Sequence, residues 1–128
     1  MEKQVLYNDN MHFEHQKWKG EIAFWKDELK SFNIRLNELI TRWANKEVLA
    51  QIGHYQNQFI VHGGVIEDLL ETIEQHETRM AVQSQAGTDV LDTQLSKTHI
   101  EFRDQMETQR EIYAELKKSF FRFLEKYL

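Results

Sequence analysis

The sequence predicts an all-α protein, and three observations support this fold class. Apolar residues recur alternately three and four positions apart along most of the 128 residues, which is the spacing of an amphipathic helix. Proline is absent, and the helix-favouring residues Glu, Lys, Gln and Leu are abundant. Apolar residues make up 41% of the chain and charged residues 29%, as long amphipathic helices require. We therefore expect one helical domain over residues 1–128.

The first helix is predicted over residues 10–44. Its apolar stripe is interrupted once, at His15, and ends at Trp43, after which the three-four spacing is lost. Asn45 follows and is suited to the N-cap of the next helix, so we expect a tight turn near 44–47. The stripe consists of Met11, His15, Trp18, Ile22, Trp25, Leu29, Phe32, Leu36, Leu39 and Trp43.

The second helix is predicted over residues 47–85. Its stripe keeps one phase from end to end, although Gly63 and Gly64 each disfavour a helix by about 1 kcal/mol relative to alanine. The glycines would permit a kink, but the unbroken period favours one continuous helix. The stripe consists of Val48, Ile52, Tyr55, Phe59, His62, Ile66, Leu69, Ile73, His76 and Met80.

The third helix is predicted over residues 89–127. The sequence Ala86-Gly87-Thr88-Asp89 places a glycine that suits a helix C-terminus before a residue that suits an N-cap. The stripe that follows consists of Leu95, His99, Phe102, Met106, Gln109, Tyr113, Leu116, Phe120, Phe123 and Tyr127.

Short connections make neighbouring helices antiparallel, which predicts a coiled-coil-like, spectrin-repeat-like bundle of three long helices. Facing residue numbers should then sum to about 91 across the first turn and to about 175 across the second. This register places Trp18, Ile73 and Phe102 in one core layer. It places Phe32, Phe59 and Leu116 in another, and it brings His15, His76 and His99 together.

Three histidines in one core layer form a ligand set that zinc and other divalent first-row metals accept. His12, one turn before His15, is a candidate for the fourth position. Carboxylates that could orient the outer ring nitrogens are Glu14, Glu77 and Glu101. The alternative is a metal-free polar layer, in which neutral histidines bond to one another, to water or to a glutamate and so set the register.

Two further polar residues fall on the core stripes. We expect His62 to be a core histidine that is bonded to the hydroxyl of Tyr113 or to the carboxylate of Glu28. We expect Gln109 to be a polar core residue that sets the register. Outside the core, an exposed apolar strip is expected on the first helix, which would form a dimer or partner surface. This strip consists of Phe13, Phe24 and Ile34.

Several classes of function are not indicated. The chain has no cysteine, which removes disulfides, thiolate metal sites and cysteine nucleophiles. It has no glycine-rich phosphate loop, G-x-S-x-G, H-E-x-x-H or Glu-x-x-His motif, so no catalytic residue is singled out. The net charge of −5 is spread along the chain, so nucleic acid is not an expected partner. Neither an apolar leader nor a membrane span is found, and a cytoplasmic location is expected.

Three stretches carry a family resemblance: residues 12–18 (HFEHQKW), 53–59 (GHYQNQF) and 121–126 (FRFLEK). With the overall run of the chain, they resemble small uncharacterised bacterial helical-bundle proteins. That resemblance implies a cytoplasmic bacterial bundle and brings no established activity or catalytic residue. A looser likeness to hemerythrin-type and other metal-binding bundles rests on histidines within long helices.

The sequence therefore supports two hypotheses. In the first, the protein is a non-catalytic interaction or scaffold module, which presents a long surface to a partner helix or to a second copy of itself. In the second, it is a metal-binding bundle that holds a divalent ion such as zinc through its three-histidine layer. The ion would then be structural, or it would activate a water molecule for hydrolysis.

Overall fold

The computed structural model describes the backbone of residues 8–85 and 93–128, and the side chains of residues 10–83 and 93–128. Three helices make up these segments: α1 (Asn8–Arg42), α2 (Lys46–Gln85) and α3 (Thr93–Tyr127). They pack against one another without any strand in the described residues, which confirms the all-α bundle. No described helix combines the length and apolarity needed to cross a membrane. The predicted stop and start at Ala86-Gly87-Thr88-Asp89 lies outside the described residues.

The connection between α1 and α2 is the tight turn that the sequence predicts. The side-chain oxygen of Asn45 accepts hydrogen bonds from the backbone N–H groups of Glu47 at 2.8 Å and Val48 at 3.2 Å. Asn45 is thus the N-cap of α2, because it satisfies two N–H groups that have no partner within the helix. The indole N–H of Trp43 donates to the carbonyl oxygen of Tyr127 at 3.0 Å, which joins this turn to the end of α3.

Helix α2 remains helical through the glycine pair, as the unbroken period indicates. A Cβ atom built on Gly63 or Gly64 would meet no other atom within 4 Å. The glycines therefore neither interrupt the helix nor allow another helix to approach it closely.

The ring contacts between helices agree with the predicted register at three heights. Trp43 contacts Tyr127, His62 stacks on Tyr113, and Trp18 contacts Phe102, with centroid distances of 5.4, 4.5 and 5.1 Å. These contacts are spread along the bundle, from the Trp43 end of α1 to the N-terminal halves of α1 and α3. They also set the height at which the histidines of α1, α2 and α3 meet.

One aromatic layer includes a residue beyond the three predicted for it. Phe32 and Phe59 each contact Phe120, with ring centroids 5.0 Å apart in both pairs. Leu116, predicted at this height, is only partly buried. Phe120 also contacts Tyr55, with ring centroids 5.3 Å apart, and Leu116 packs against the same core.

A row of ion pairs aligns α1 with α3. Three glutamates of α1, seven residues apart, each bind a cationic residue of α3 that lies 89 positions later. The pairs are Glu14 with Arg103, Glu21 with Arg110 and Glu28 with Lys117, with shortest distances of 2.6, 2.7 and 2.6 Å. A constant separation of residue numbers means that α1 and α3 run parallel, with α2 antiparallel to both.

Candidate metal centre

The structure brings together the three histidines that the sequence places in one layer. Each helix contributes one imidazole, and the side chains of His15, His76 and His99 are 0%, 2% and 0% exposed. Their ring centroids lie 5.2 Å (His15 to His76), 5.0 Å (His15 to His99) and 5.5 Å (His76 to His99) apart. One ring nitrogen from each residue lies within 4.8 Å of the others. The three-histidine layer is therefore a compact, fully buried cluster.

Most nitrogens of this cluster have no hydrogen bond to any part of the chain that the structure describes. This holds for both ring nitrogens of His15, for both of His76 and for Nδ1 of His99. A buried polar group without a partner costs about 1–3 kcal/mol, and such groups are rare in folded proteins. The cluster is thus an unfavourable arrangement for a core layer, unless something else binds these nitrogens.

Apolar side chains close the cluster on both sides along the bundle axis. On one side, Trp18 stacks on His99 with centroids 5.0 Å apart, and its ring lies 5.6 Å from that of His15. On the other side, Met11, Met80 and Leu95 form a small buried group, one helical turn from the histidines. The layer therefore lies in an apolar section of the core.

A carboxylate and a guanidinium orient His99. The Nε2–H of His99 donates to Oε1 of Glu14 at 3.1 Å, and Arg103 donates to both oxygens of that carboxylate, at 2.6 and 3.1 Å. Because a neutral imidazole carries one proton, this bond leaves the lone pair of His99 on Nδ1. Carboxylates often orient metal-binding histidines in this way.

A second carboxylate lies beside His15. Oε1 of Glu77 is 3.3 Å from Nδ1 of His15 and also 3.3 Å from Nδ1 of His12. Lys19 donates to the other oxygen, Oε2, at 2.9 Å. Of the three carboxylates predicted near the layer, Glu14 and Glu77 thus contact it, whereas Glu101 is exposed.

His12 lies outside the three-histidine cluster, although the sequence suggests it as a fourth ligand. Its side chain is 65% exposed, and its Nδ1 lies 3.3 Å from Oε1 of Glu77. Arg103 and Lys19, which hold the two carboxylates, were not predicted as site residues. The heptad spacing of Glu14, Glu21 and Glu28 on one helix and of Arg103, Arg110 and Lys117 on another would have indicated the first of them.

The environment of the layer keeps its imidazoles neutral at pH 7. Burial, together with the charges that His99 and His76 would carry, lowers the pKa of His15 to about 4 against the opposing effect of Glu77. Burial also lowers the pKa of His76 to about 4, with contributions from His99 and Arg79. Burial lowers the pKa of His99 as well, although Glu14 opposes it.

Three neutral imidazoles that converge in the core can donate three lone pairs to a divalent ion. Zinc binds histidine nitrogens at about 2.0–2.1 Å, which places tetrahedral ligand atoms about 3.3 Å apart. The nitrogens here lie within 4.8 Å of one another, so the rings need to move inward. Most of these nitrogens are not held by hydrogen bonds, so little opposes that movement.

A second polar cluster occupies the core between the histidine layer and the aromatic layers. The side-chain amide of Gln109 donates to Nδ1 of His62, which also stacks on Tyr113 at an interplanar angle of 11°. The Tyr113 hydroxyl donates to Glu28 at 2.8 Å. The prediction that His62 bonds to Tyr113 or Glu28 is therefore wrong. The partner of the imidazole is Gln109, one helical turn from Tyr113, and Tyr113 bonds to Glu28 instead.

Two cavities line the groove between α2 and α3. Their volumes are about 470 and 380 Å³, and both are bordered by Val65 and Gln109. Val61 and Ile112, which are exposed, lie at the larger one. None of the three clustered histidines lines either cavity, so this groove and the histidine layer are separate features.

No protein-family model, curated protein or solved structure matches this chain.

Proposed function

We propose that this protein is a three-helix bundle that binds one divalent metal ion, such as zinc, through His15, His76 and His99. The observation that carries the proposal is the set of buried ring nitrogens without hydrogen bonds. In the second polar cluster Gln109 bonds to Nδ1 of His62 and one imidazole nitrogen, Nε2, has no partner, whereas in the three-histidine layer five nitrogens have none. A metal ion would bind one nitrogen of each clustered histidine and remove three of these unsatisfied groups.

The surroundings of the cluster favour a structural ion over a hydrolytic one. The three side chains are almost completely buried, and Trp18 and the Met11, Met80 and Leu95 group cover them along the axis. A hydrolytic metal needs a position that is open to water and substrate. An ion at this position would instead hold α1, α2 and α3 together.

The direct test is a calorimetric titration of metal-free protein with zinc at pH 7.5, with melting temperatures measured in parallel. We expect one ion per chain and a rise in melting temperature, because a ligand of the native state stabilises it by RT ln(1 + [L]/Kd). His15→Ala, His76→Ala and His99→Ala should each abolish the saturable heat and the thermal shift.

His54→Ala is the matched control, since His54 is an exposed histidine of α2 that lies outside the cluster. It should bind zinc as the parent does. The proposal fails if the parent shows neither saturable heat nor a thermal shift and also purifies without stoichiometric metal.

A second candidate function is an interaction module, and the exposed apolar residues favour it. Phe13, Phe24 and Ile34 are all exposed, as are Val61 and Ile112 beside the groove between α2 and α3. Sedimentation of the parent and of a Phe13→Ser/Ile34→Ser variant would test self-association. We expect a dimer for the parent and a monomer for the variant, and a parent that stays monomeric at high micromolar concentration would contradict this role.

A further inference from the structure

We propose that a divalent ion reaches the buried histidine layer through His12 and Glu77, which form its access route from solvent. This inference rests on the proposed metal binding. It assigns to His12 a role in delivering the ion rather than in holding it.

The need for such a route follows from burial. The three clustered side chains are at most 2% exposed, so an ion has to pass at least one covering side chain. On the side of His15, the covering group is Glu77, and beyond Glu77 lies His12, which is 65% exposed. These three residues therefore lead from the surface to the cluster.

The distances suit the transfer of an ion along this line. Oε1 of Glu77 lies 3.3 Å from Nδ1 of His12 on its outer side and 3.3 Å from Nδ1 of His15 on its inner side. Neighbouring ligand atoms around a tetrahedral zinc ion lie about 3.3 Å apart, which matches this spacing. An ion can thus be held by His12 and Glu77, and then by Glu77 and His15, without losing all of its protein ligands.

The bonding of Glu77 fits this role. Its Oε1 is buried and makes no hydrogen bond within the described residues, while Lys19 holds Oε2 and so fixes the side chain. Lys19 thus leaves one carboxylate oxygen of Glu77 unoccupied, and this oxygen lies within 3.3 Å of both His12 and His15.

The other carboxylate at the cluster is less suitable. Oε1 of Glu14 already accepts hydrogen bonds from His99 and Arg103, and its second oxygen is bound by the same guanidinium. Lys19, by contrast, bonds to only one oxygen of Glu77. The two sides of the layer thus differ, because both oxygens of Glu14 are occupied whereas Oε1 of Glu77 makes no hydrogen bond within the described residues.

The test is a stopped-flow measurement of cobalt(II) uptake and release, followed by the visible absorption of the bound ion. We expect His12→Ala to lower the association and dissociation rate constants alike, by about tenfold. The dissociation constant and the final spectrum should stay those of the parent, because His12 does not hold the ion at the end of the route. His12→Lys should be slower still, since it places a positive charge at the entrance.

The control variants are His54→Ala and His54→Lys, which change an exposed histidine away from the cluster and should leave both rate constants unaltered. The route is overturned if His12→Ala binds and releases cobalt(II) at the parent's rates. It is equally overturned if His12→Ala weakens equilibrium binding and alters the final spectrum, because His12 would then be a ligand. Failure of the parent to bind cobalt(II) or zinc at all would instead overturn the proposed metal binding itself.

Discussion

The indole of Trp18 stacks on the imidazole of His99, with ring centroids 5.0 Å apart and an interplanar angle of 26°. This contact gives the histidine layer its own fluorescent reporter. We expect cobalt(II) to quench the emission of Trp18, because an open-shell ion bound to His99 would lie next to the indole. The measurement is a fluorescence titration of the parent and of Trp18→Phe, which keeps an aromatic ring at this position.

Trp18→Phe should lose most of the quenching and still bind the ion in calorimetry. Equal quenching in the parent and in this variant would place the ion elsewhere in the molecule.

Both ring nitrogens of His76 lack hydrogen bonds within the described residues, so we predict that the metal-free layer destabilises the core. We expect His76→Leu to raise the free energy of unfolding by about 1–2 kcal/mol in the presence of a chelator. The reason is that an apolar residue of similar volume replaces a buried imidazole that has no hydrogen-bonding partner. Urea unfolding of both proteins checks this.

The same variant should gain nothing from zinc, so the order of stability should reverse when zinc is added to both proteins. A loss of stability in His76→Leu without metal would show that the imidazole has a favourable partner in the folded state.

From the buried position of His62 we predict that the folded protein becomes less stable in mild acid. Burial lowers its pKa to about 4, whereas an unfolded histidine titrates near 6.5. Between these values the unfolded chain binds the additional proton, so stability from this residue is fully present above about pH 6.5 and is lost as pH falls toward 4. The parent should lose about 2 kcal/mol more than His62→Phe between pH 7 and pH 5.

The measurement is urea unfolding at both pH values in the presence of a chelator. His62→Phe keeps a ring to stack on Tyr113, so the comparison isolates the proton. The explanation is wrong if both proteins lose the same stability over this range.

We predict that replacing Gly64 with alanine stabilises the folded protein. It lies within α2, it is exposed, and a Cβ atom there would meet nothing within 4 Å. We therefore expect Gly64→Ala to raise the free energy of unfolding by about 1 kcal/mol, which is the difference in helix propensity between the two residues. Thermal and urea unfolding would measure it.

Gly53→Ala provides a second position for comparison, since it too lies exposed in α2 with no atom within 4 Å. A loss of stability at both sites would contradict the prediction. It would mean that α2 needs glycine at these positions for a reason other than space.

Much of the fold could be predicted because it depends on local periodicity. The three-four spacing of apolar residues specified the helices and their buried faces, and Asn45 specified the turn, since an N-cap acts on its own helix. The antiparallel register then followed from the short connection. The same register brought His15, His76 and His99 to one height, so these three residues of the candidate site could also be predicted from the sequence.

What only the tertiary structure decided is which side chains meet within a layer and which remain without partners. Residue spacing along a helix cannot tell whether His62 bonds to Tyr113 or to Gln109, because residues one turn apart are both within reach of an imidazole. Nor can it show that Glu77 stands between exposed His12 and buried His15. Those relationships depend on rotamers and on distances between helices. The sequence by itself therefore determined the bundle and the height of the histidine layer, while tertiary contacts determined which nitrogens of that layer make no hydrogen bond within the described residues.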